Sequence, residues 1–275
     1  MKNRRDFLKL TMRSAVLITA GNKFTPFLLN NRLPLREEIA LRFAIVSDGH
    51  YGQPDTDYEK NHDAVIAAIN NEFHDRGVDF TFVNGDLFHN DVNFMEPVKQ
   101  KWNTLAMPHY VSHGNHDQTT EANWLATFGN QWYYTFEKNN NGFIVLNTAN
   151  EKGDYVCPDL QTTNALLEQN KQKENLFVFM HITPYTWTKG GIDCPEIVNS
   201  FSKYKNIKAI FHGHDHDMDD VKEKNNLNHF FDAHIAGNWG LPYIGYRIVE
   251  ILNNSDILTY QMNSNTNKQV NSKSL

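Results

Sequence analysis

Short apolar runs alternate along the chain with segments whose apolar residues recur every three or four positions. Residues 41–46 form the first run. Residues 58–76 follow with Ala64, Val65, Ala68, Ile69 and Phe73 at helical spacing and Gly77 as a stop. The same rhythm predicts strands at 79–83 and 109–112, with helices around 93–105 and 120–128. Residues 132–136 and 143–146 flank Asn139-Asn140-Asn141-Gly142, which reads as a hairpin turn. A helix around 159–172 leads to a strand at 176–180, and one around 195–203 to a strand at 207–211. Three further strands are predicted at 229–235, 244–251 and 256–262. Apolar strands alternating with amphipathic helices predict a sheet buried on both faces, and the hairpins of the second half predict a second sheet packed on it. The expected architecture is a four-layer α/β/β/α sandwich of two mixed sheets flanked by helices. No internal repeat or long linker divides it.

Composition adds little to this picture except at the ends. Of 275 residues, 40% are hydrophobic and 21% charged, as in ordinary globular chains. No apolar run approaches the roughly 20 residues that span a bilayer. At the N-terminus, Asn3-Arg4-Arg5-Asp6-Phe7-Leu8-Lys9, followed by Ala15-Val16-Leu17-Ile18-Thr19-Ala20, resembles a bacterial twin-arginine export signal. The expected division is an export signal and linker at 1–35, a domain at 36–262, and a polar, disordered tail at 263–275. That makes the protein periplasmic or otherwise exported. Removing residues 1–20 takes away Lys2, Arg4, Arg5, Lys9 and Arg13 against Asp6, a net of +4, and moves the formal charge from −6 to −10. A body that acidic has no generic attraction for nucleic acid or anionic membranes. Cys157 and Cys194 each precede a proline, sit in no C-x-x-C pattern, and are free to pair in an oxidising compartment.

The chemistry lies just beyond the strands. Asp48-Gly49-His50, Gly85-Asp86, Gly114-Asn115-His116-Asp117, His181 and Gly213-His214-Asp215-His216 each follow a predicted strand. Ligands of open α/β sheets bind beyond the carboxyl ends of strands. Carboxylate, imidazole and amide oxygen are donors that Mn, Fe, Zn and Ni accept. Singly, each has a plainer role: Asp48 and Asp86 as helix caps, Asn115 as a turn residue, the histidines as hydrogen-bonded loop imidazoles.

Taken together and in this order, the clusters resemble the calcineurin-like metallophosphoesterases, whose pattern is D-x-H, G-D, G-N-H-D/E, H and G-H-x-H. The resemblance spans roughly residues 41–250 and implies two divalent metal ions. Asp48, His50, Asp86 and His216 would hold one ion, and Asp86, Asn115, His181 and His214 the other. By the same resemblance Asp86 bridges the pair, and a water between the ions loses its proton and attacks phosphorus. His116 faces the substrate as an acid for the leaving oxygen or a stabiliser of the transition state, and Asp117 orients His116.

Other residues are secondary. His89, in Leu87-Phe88-His89, resembles a feature of some nuclease members. His113, His212 and His234 flank the clusters and are candidates for fixing ligand tautomers. Trp239, between glycines, is expected to stack on a base, a sugar or a leaving group, and Tyr51 and Tyr185 to line the pocket. The implied function is hydrolysis of a small phosphate ester by an exported enzyme. Phosphodiesters, cyclic nucleotides included, are slightly favoured. The alternatives are a phosphomonoesterase and a non-catalytic metal- or ligand-binding surface protein. The acidic body and the lack of a basic groove argue against a nuclease, and the sequence specifies no oligomeric state.

Overall fold

A computed structural model describes residues 15–18, 24–27, 34–266 and 268–270. In chain order its elements are β1 (Ala15–Ile18), β2 (Phe24–Phe27), β3 (Ile39–Val46), α1 (Tyr58–Arg76), β4 (Phe80–Asn84), α2 (Met95–Trp102), β5 (His109–Ser112) and α3 (Glu121–Phe128). Next come β6 (Tyr134–Lys138), β7 (Asn141–Leu146), α4 (Leu160–Gln169), β8 (Asn175–Met180), α5 (Pro195–Phe201) and β9 (Ile207–His212). The chain ends with β10 (Val221–Lys224), β11 (Leu227–Phe231), β12 (Gly245–Leu252), β13 (Ile257–Asn263) and β14 (Lys268–Val270).

Two sheets result. The first runs β2-β1-β13-β12-β3-β4-β5, with β14 beside β13, and the second runs β10-β11-β9-β8-β7-β6. Within them β3, β4 and β5 are parallel, as are β7, β8, β9 and β11. Strand alternation assigns each side chain to a layer even where every residue is buried. Phe43 and Ile45 of β3, Phe143 and Val145 of β7, and Phe177 and Phe179 of β8 meet between the sheets. Ala44 and Val46 turn the other way, onto Val65, Ala68 and Ile69 of α1 and Trp102 of α2. Ile144, Leu146, Val178 and Met180 face Leu167 of α4 and Ile197 and Phe201 of α5. The predicted α/β/β/α sandwich is what forms.

The departures concern the late strands. The C-terminal hairpin β12–β13 returns to the first sheet, where β12 pairs antiparallel with β3. The strand expected at 229–235 stops at Phe231. There the chain crosses between sheets, with Ile235 N donating to Ser47 O at 3.2 Å and Ala236 N to Asp48 O at 3.0 Å. Within the polar tail, Lys268–Val270 pairs with Gln261–Asn263. At the other end, Ala15–Ile18 pairs with β13 and with β2. The Arg4-Arg5 pair of the export motif lies outside the described residues. No helix among the described residues is long and apolar enough to cross a membrane.

Candidate metal centre

Parallel strands from both sheets end at one place. Asp48 and His50 follow β3, Asp86 follows β4, Asn115 and His116 follow β5, His181 follows β8, and His214 and His216 follow β9. Asn84 joins the two halves. Its amide donates to Phe211 O across the sheets (3.1 Å), and its carbonyl accepts from Ser47 Oγ (2.9 Å) and His181 Nδ1 (2.7 Å). Gly213 is required by close approach, since a Cβ there would lie 1.8 Å from Ser47 Oγ and 2.7 Å from Asp48 Oδ2. The left-handed backbone of that turn belongs instead to His214 (φ 67°). Asp48 (59°), His50 (41°) and Asp86 (52°) share it. Non-glycine residues resist this region, and such strain is retained where surrounding structure overdetermines it.

Two carboxylate–imidazole groups form, Asp48–His50–His216 and Asp86–His181–His214, beside a third, all-imidazole group of His50, His89 and His116. Asp48 Oδ1 lies 3.1 Å from His216 Nε2 and 3.9 Å from His50 Nε2, and the two Nε2 atoms face each other at 3.0 Å. Asp86 Oδ2 lies 3.1 Å from His181 Nε2 and 3.7 Å from His50 Nε2, which places this carboxylate between the groups. Its other oxygen accepts from His116 N at 2.7 Å.

This donor set fits two cations. His181 donates through Nδ1 to Asn84, which turns its buried Nε2 toward Asp86 Oδ2 at 3.1 Å, so that the neutral ring presents a lone pair there. Asn115 Oδ1 is buried and has no hydrogen-bond partner. Unpaired buried acceptors are costly unless something positive meets them. The electrostatics agree. Burial opposes ionisation of Asp86, yet His181 beside it holds the carboxyl well below the usual range, and His216 does the same for Asp48. Burial likewise lowers the His181 pKa, but Asp86 and Asp48 outweigh it and lift the ring to about 10. Where no cation is bound, a proton on His181 takes its place beside the two carboxylates.

His116 stands at the rim. Its Nδ1 donates to Asn90 Oδ1 at 2.8 Å, and its ring stacks on His89 (centroids 4.7 Å apart) and meets His50 edge-on at 4.8 Å. The expectation that Asp117 orients His116 is corrected. Asp117 is fully buried and accepts from Phe88 N and Gly114 N, both at 2.9 Å, so it braces the two ligand-bearing loops. Asn90 takes the orienting place and was missed by sequence reasoning, as was Asn84. The only sequence signal for either is an amide beside a Gly-Asp motif.

Tyr51 and Tyr185 do not line the site. Tyr51 is core, packed on Tyr58, His62 and Phe94 with its hydroxyl on Glu59. Tyr185 is buried against Trp187 and His229, with Lys224 over its ring, and none of these is a metal-facing residue. Trp239 does reach the site. It lies flat on His216, centroids 4.2 Å apart and planes 6° apart, and is 44% exposed. Of the flanking histidines, His234 stacks on the far side of His216 at 4.9 Å, and His89 Nδ1 is 3.1 Å from His50 Nδ1. His113 is engaged by Asn147 and the Asp117 carbonyl, and His212 by the Met180 carbonyl and His229. Cys157 and Cys194 form a disulfide.

A two-sheet sandwich carrying two carboxylate–imidazole groups where parallel strands end defines a dinuclear-metal hydrolase. The family model for calcineurin-like phosphoesterases matches residues 41–218, and the chain belongs to that family of metal-dependent phosphoester hydrolases. Among solved structures, a dimetal phosphatase from Danio rerio is similar at 12% identity and a TM-score of 0.62, over 78% of this chain and 94% of that one. The purple acid phosphatase PPD1 of yellow lupin (Lupinus luteus) is similar at 14% identity and 0.61, over 87% and 54%. GAP50 of Plasmodium, the anchor in the inner membrane complex, is similar at 18% identity and 0.61, over 85% and 89%. No curated protein matches the chain.

Proposed function

We propose that the chain is an exported phosphoesterase that cleaves small phosphodiesters in preference to monoesters. The observation that carries the hydrolase reading is the convergence of the two ligand groups on Asp86, with Asn115 Oδ1 buried and unpartnered beside them. Asp48, His50, Asp86 and His216 would hold one divalent cation, and Asp86, Asn115, His181 and His214 the other. Mn, Fe, Zn and Ni all suit these donors. When bound, the cations supply Lewis-acid stabilisation of the phosphoryl oxygens and activate the attacking water. His116, its Nδ1 proton held by Asn90, presents Nε2 to the leaving alcohol. Protonated there, it delivers the proton as the P–O bond breaks, so that diester and water become one alcohol and the phosphate monoester of the other. His50 and His216, each held on its other nitrogen by His89 and by the Trp239 carbonyl, keep Nε2 aimed inward.

The preference for diesters is supported by two surface hollows lined by residues close in sequence to His50 and to His116. One cavity of about 520 Å³ runs from the loop before α1 to Gly237 and Asn238. Another of about 320 Å³ is lined by Val92, Asn123, Lys152 and the residues that follow the His116 loop, Gln118 and Thr119. A diester has two alcohol groups to place and a monoester only one. Export is supported by the twin-arginine motif and by the disulfide, since such bonds persist in oxidising compartments.

The test compares bis(4-nitrophenyl) phosphate with 4-nitrophenyl phosphate on metal-loaded protein. A larger kcat/KM for the diester is expected. The reverse order would leave the monoesterase alternative standing. Replacing Arg4 and Arg5 together by Lys should retain the protein in the cytoplasm of its host, and unchanged export would refute the signal.

A further inference from the structure

We infer that Tyr155 is a further substrate-contacting residue, whose hydroxyl donates a hydrogen bond to a phosphoryl oxygen of an ester seated beside the Asp86–His181–His214 group. Tyr155 would serve monoesters and diesters alike, so this role rests on the hydrolase reading above and not on the diester preference.

The loop after β7 folds on itself and against the residues of that group. Asn150 N donates to Asp154 O (2.9 Å) and Gly153 N to Asn150 O (3.0 Å), while the Asn150 side chain accepts from Lys152 N and Asp154 N, both at 2.9 Å. Ala149 and Tyr155 close this small hairpin as an antiparallel pair. Its tip lies on the loop that bears Asn115, since a Cβ on Gly153 (φ 86°) would stand 2.4 Å from Asn115 O. Its base is held beside His181, where Thr148 Oγ1 accepts from Ile182 N at 3.1 Å. Two residues beyond the tyrosine, Cys157 is bonded to Cys194, at the end of the segment that leads from His181 to α5. So placed, the Tyr155 ring meets the His214 imidazole edge-on, with centroids 4.9 Å and planes 86° apart.

Held there by its backbone, Tyr155 is still 42% exposed. Few large apolar side chains are exposed among the described residues, and two of them flank one turn, Trp239 on His216 and Tyr155 on His214. No hydrogen bond among the described residues engages the Tyr155 hydroxyl. A phenol keeps its proton at neutral pH, with an ordinary pKa near 10, and burial followed by the Asp86 and Asp215 carboxylates raises it further. Those carboxylates are the one between the ligand groups and the one between His214 and His216, so a free O–H donor stands beside the centre. Among the described residues Asp48 and Asp86 pair with imidazoles and with no lysine or arginine. What the chain offers an anionic oxygen on this side is therefore a neutral donor, and a hydrogen bond from it to phosphate is charge-assisted, the stronger kind.

The test uses the full chain loaded with Mn²⁺. Tyr155→Phe keeps the ring on His214 and removes only the hydroxyl. Loss of a hydrogen bond to a charged oxygen should weaken the binding of inorganic phosphate, read by calorimetry, by about tenfold or more. The same variant should lower kcat/KM by a like factor on whichever of 4-nitrophenyl phosphate and bis(4-nitrophenyl) phosphate the wild type cleaves. Metal content and Tm should stay at the wild-type values. A packing role predicts no change in the Phe variant, because the packing is kept, so phosphate affinity within about twofold of wild type overturns the inference. Loss of a metal ion from the Phe variant also overturns it, since the hydroxyl would then serve the cation and not the ester. Faster cleavage of the monoester, with phosphate binding still weakened by Tyr155→Phe, supports the inference and refutes only the diester preference. Unaltered phosphate binding with the diester still cleaved faster refutes only the inference.

Discussion

Removing the support of His116 separates positioning from folding at this centre. The His116 ring is held by one hydrogen bond, Nδ1–H to Asn90 Oδ1 at 2.8 Å at a partly exposed rim. Such a bond contributes about 0.5–1.5 kcal/mol net, so Asn90→Ala should lower kcat on an alkyl ester by about 2- to 13-fold. His116→Ala removes the proton donor itself and should cost about 10²–10⁴-fold on that ester. Both losses should shrink with a 4-nitrophenyl leaving group, which departs without a proton. Asp117→Asn is different in kind. It replaces one of the acceptors for Phe88 N and Gly114 N by a donor in a fully buried site, leaving unsatisfied groups worth about 1–3 kcal/mol each. Its signature is a lower Tm with no dependence on the leaving group. The assay is steady-state kinetics on paired alkyl and nitrophenyl diesters, with metal content and Tm measured for each variant. If Asp117→Asn showed the leaving-group dependence of His116→Ala while keeping its Tm, the assignment of Asn90 as the positioning residue would be wrong.

Other perturbations give equally definite outcomes. Metal affinity should climb with pH, because His181 keeps a proton up to about pH 10 in the metal-free protein and the cation must displace it. The slope should be about tenfold per pH unit for each proton released, read by calorimetry from pH 6 to 8, and a flat profile refutes it. Replacing Cys157 and Cys194 by Ala opens a loop with a sequence separation of 37. In the chain-entropy model that costs about 4 kcal/mol, or about 10 °C in Tm by calorimetry. An unchanged Tm would show that the loop is held without the bond. Phe82 is fully buried and stacked on Phe179 with centroids 3.6 Å apart, so Phe82→Ala should cost about 3–5 kcal/mol by denaturant unfolding. A loss under 1 kcal/mol would mean that the layer between the sheets collapses around the gap. Gly213→Ala would set a methyl group against Ser47 Oγ and should strip metal from the protein, measured by elemental analysis. Full metal content would show that the turn can yield.

The residues that converge at this centre were legible because each motif needed only local information. Asp48, Asp86, Asn115, His181 and His214 stand where an apolar run stops, and parallel strands bring such ends to one edge. Asn90 was not legible. Asp117 is adjacent to His116 in sequence, but neighbouring side chains need not face the same way. The contact was made instead by a residue 26 positions earlier on another loop. Tyr51 and Tyr185 failed for the same reason. Each follows a ligand closely, yet its ring turns into packing, toward Tyr58 and His62 in one case and Trp187 and His229 in the other.

What the sequence determined by itself is the set of donors, their order and their placement after strands, because periodicity and strand length are local properties. The residue types also determined the chemistry, since carboxylates and imidazoles without thiolates restrict the cations that suit them. Tertiary structure decided the rest. It sent β12–β13 back to the first sheet, a choice that two apolar strands with both faces buried leave open. It gave His116 to Asn90, laid Trp239 on His216, and paired Cys157 with Cys194. Each of these is a meeting of segments distant in sequence. Only the closing of two sheets over a shared aromatic core brings them within reach.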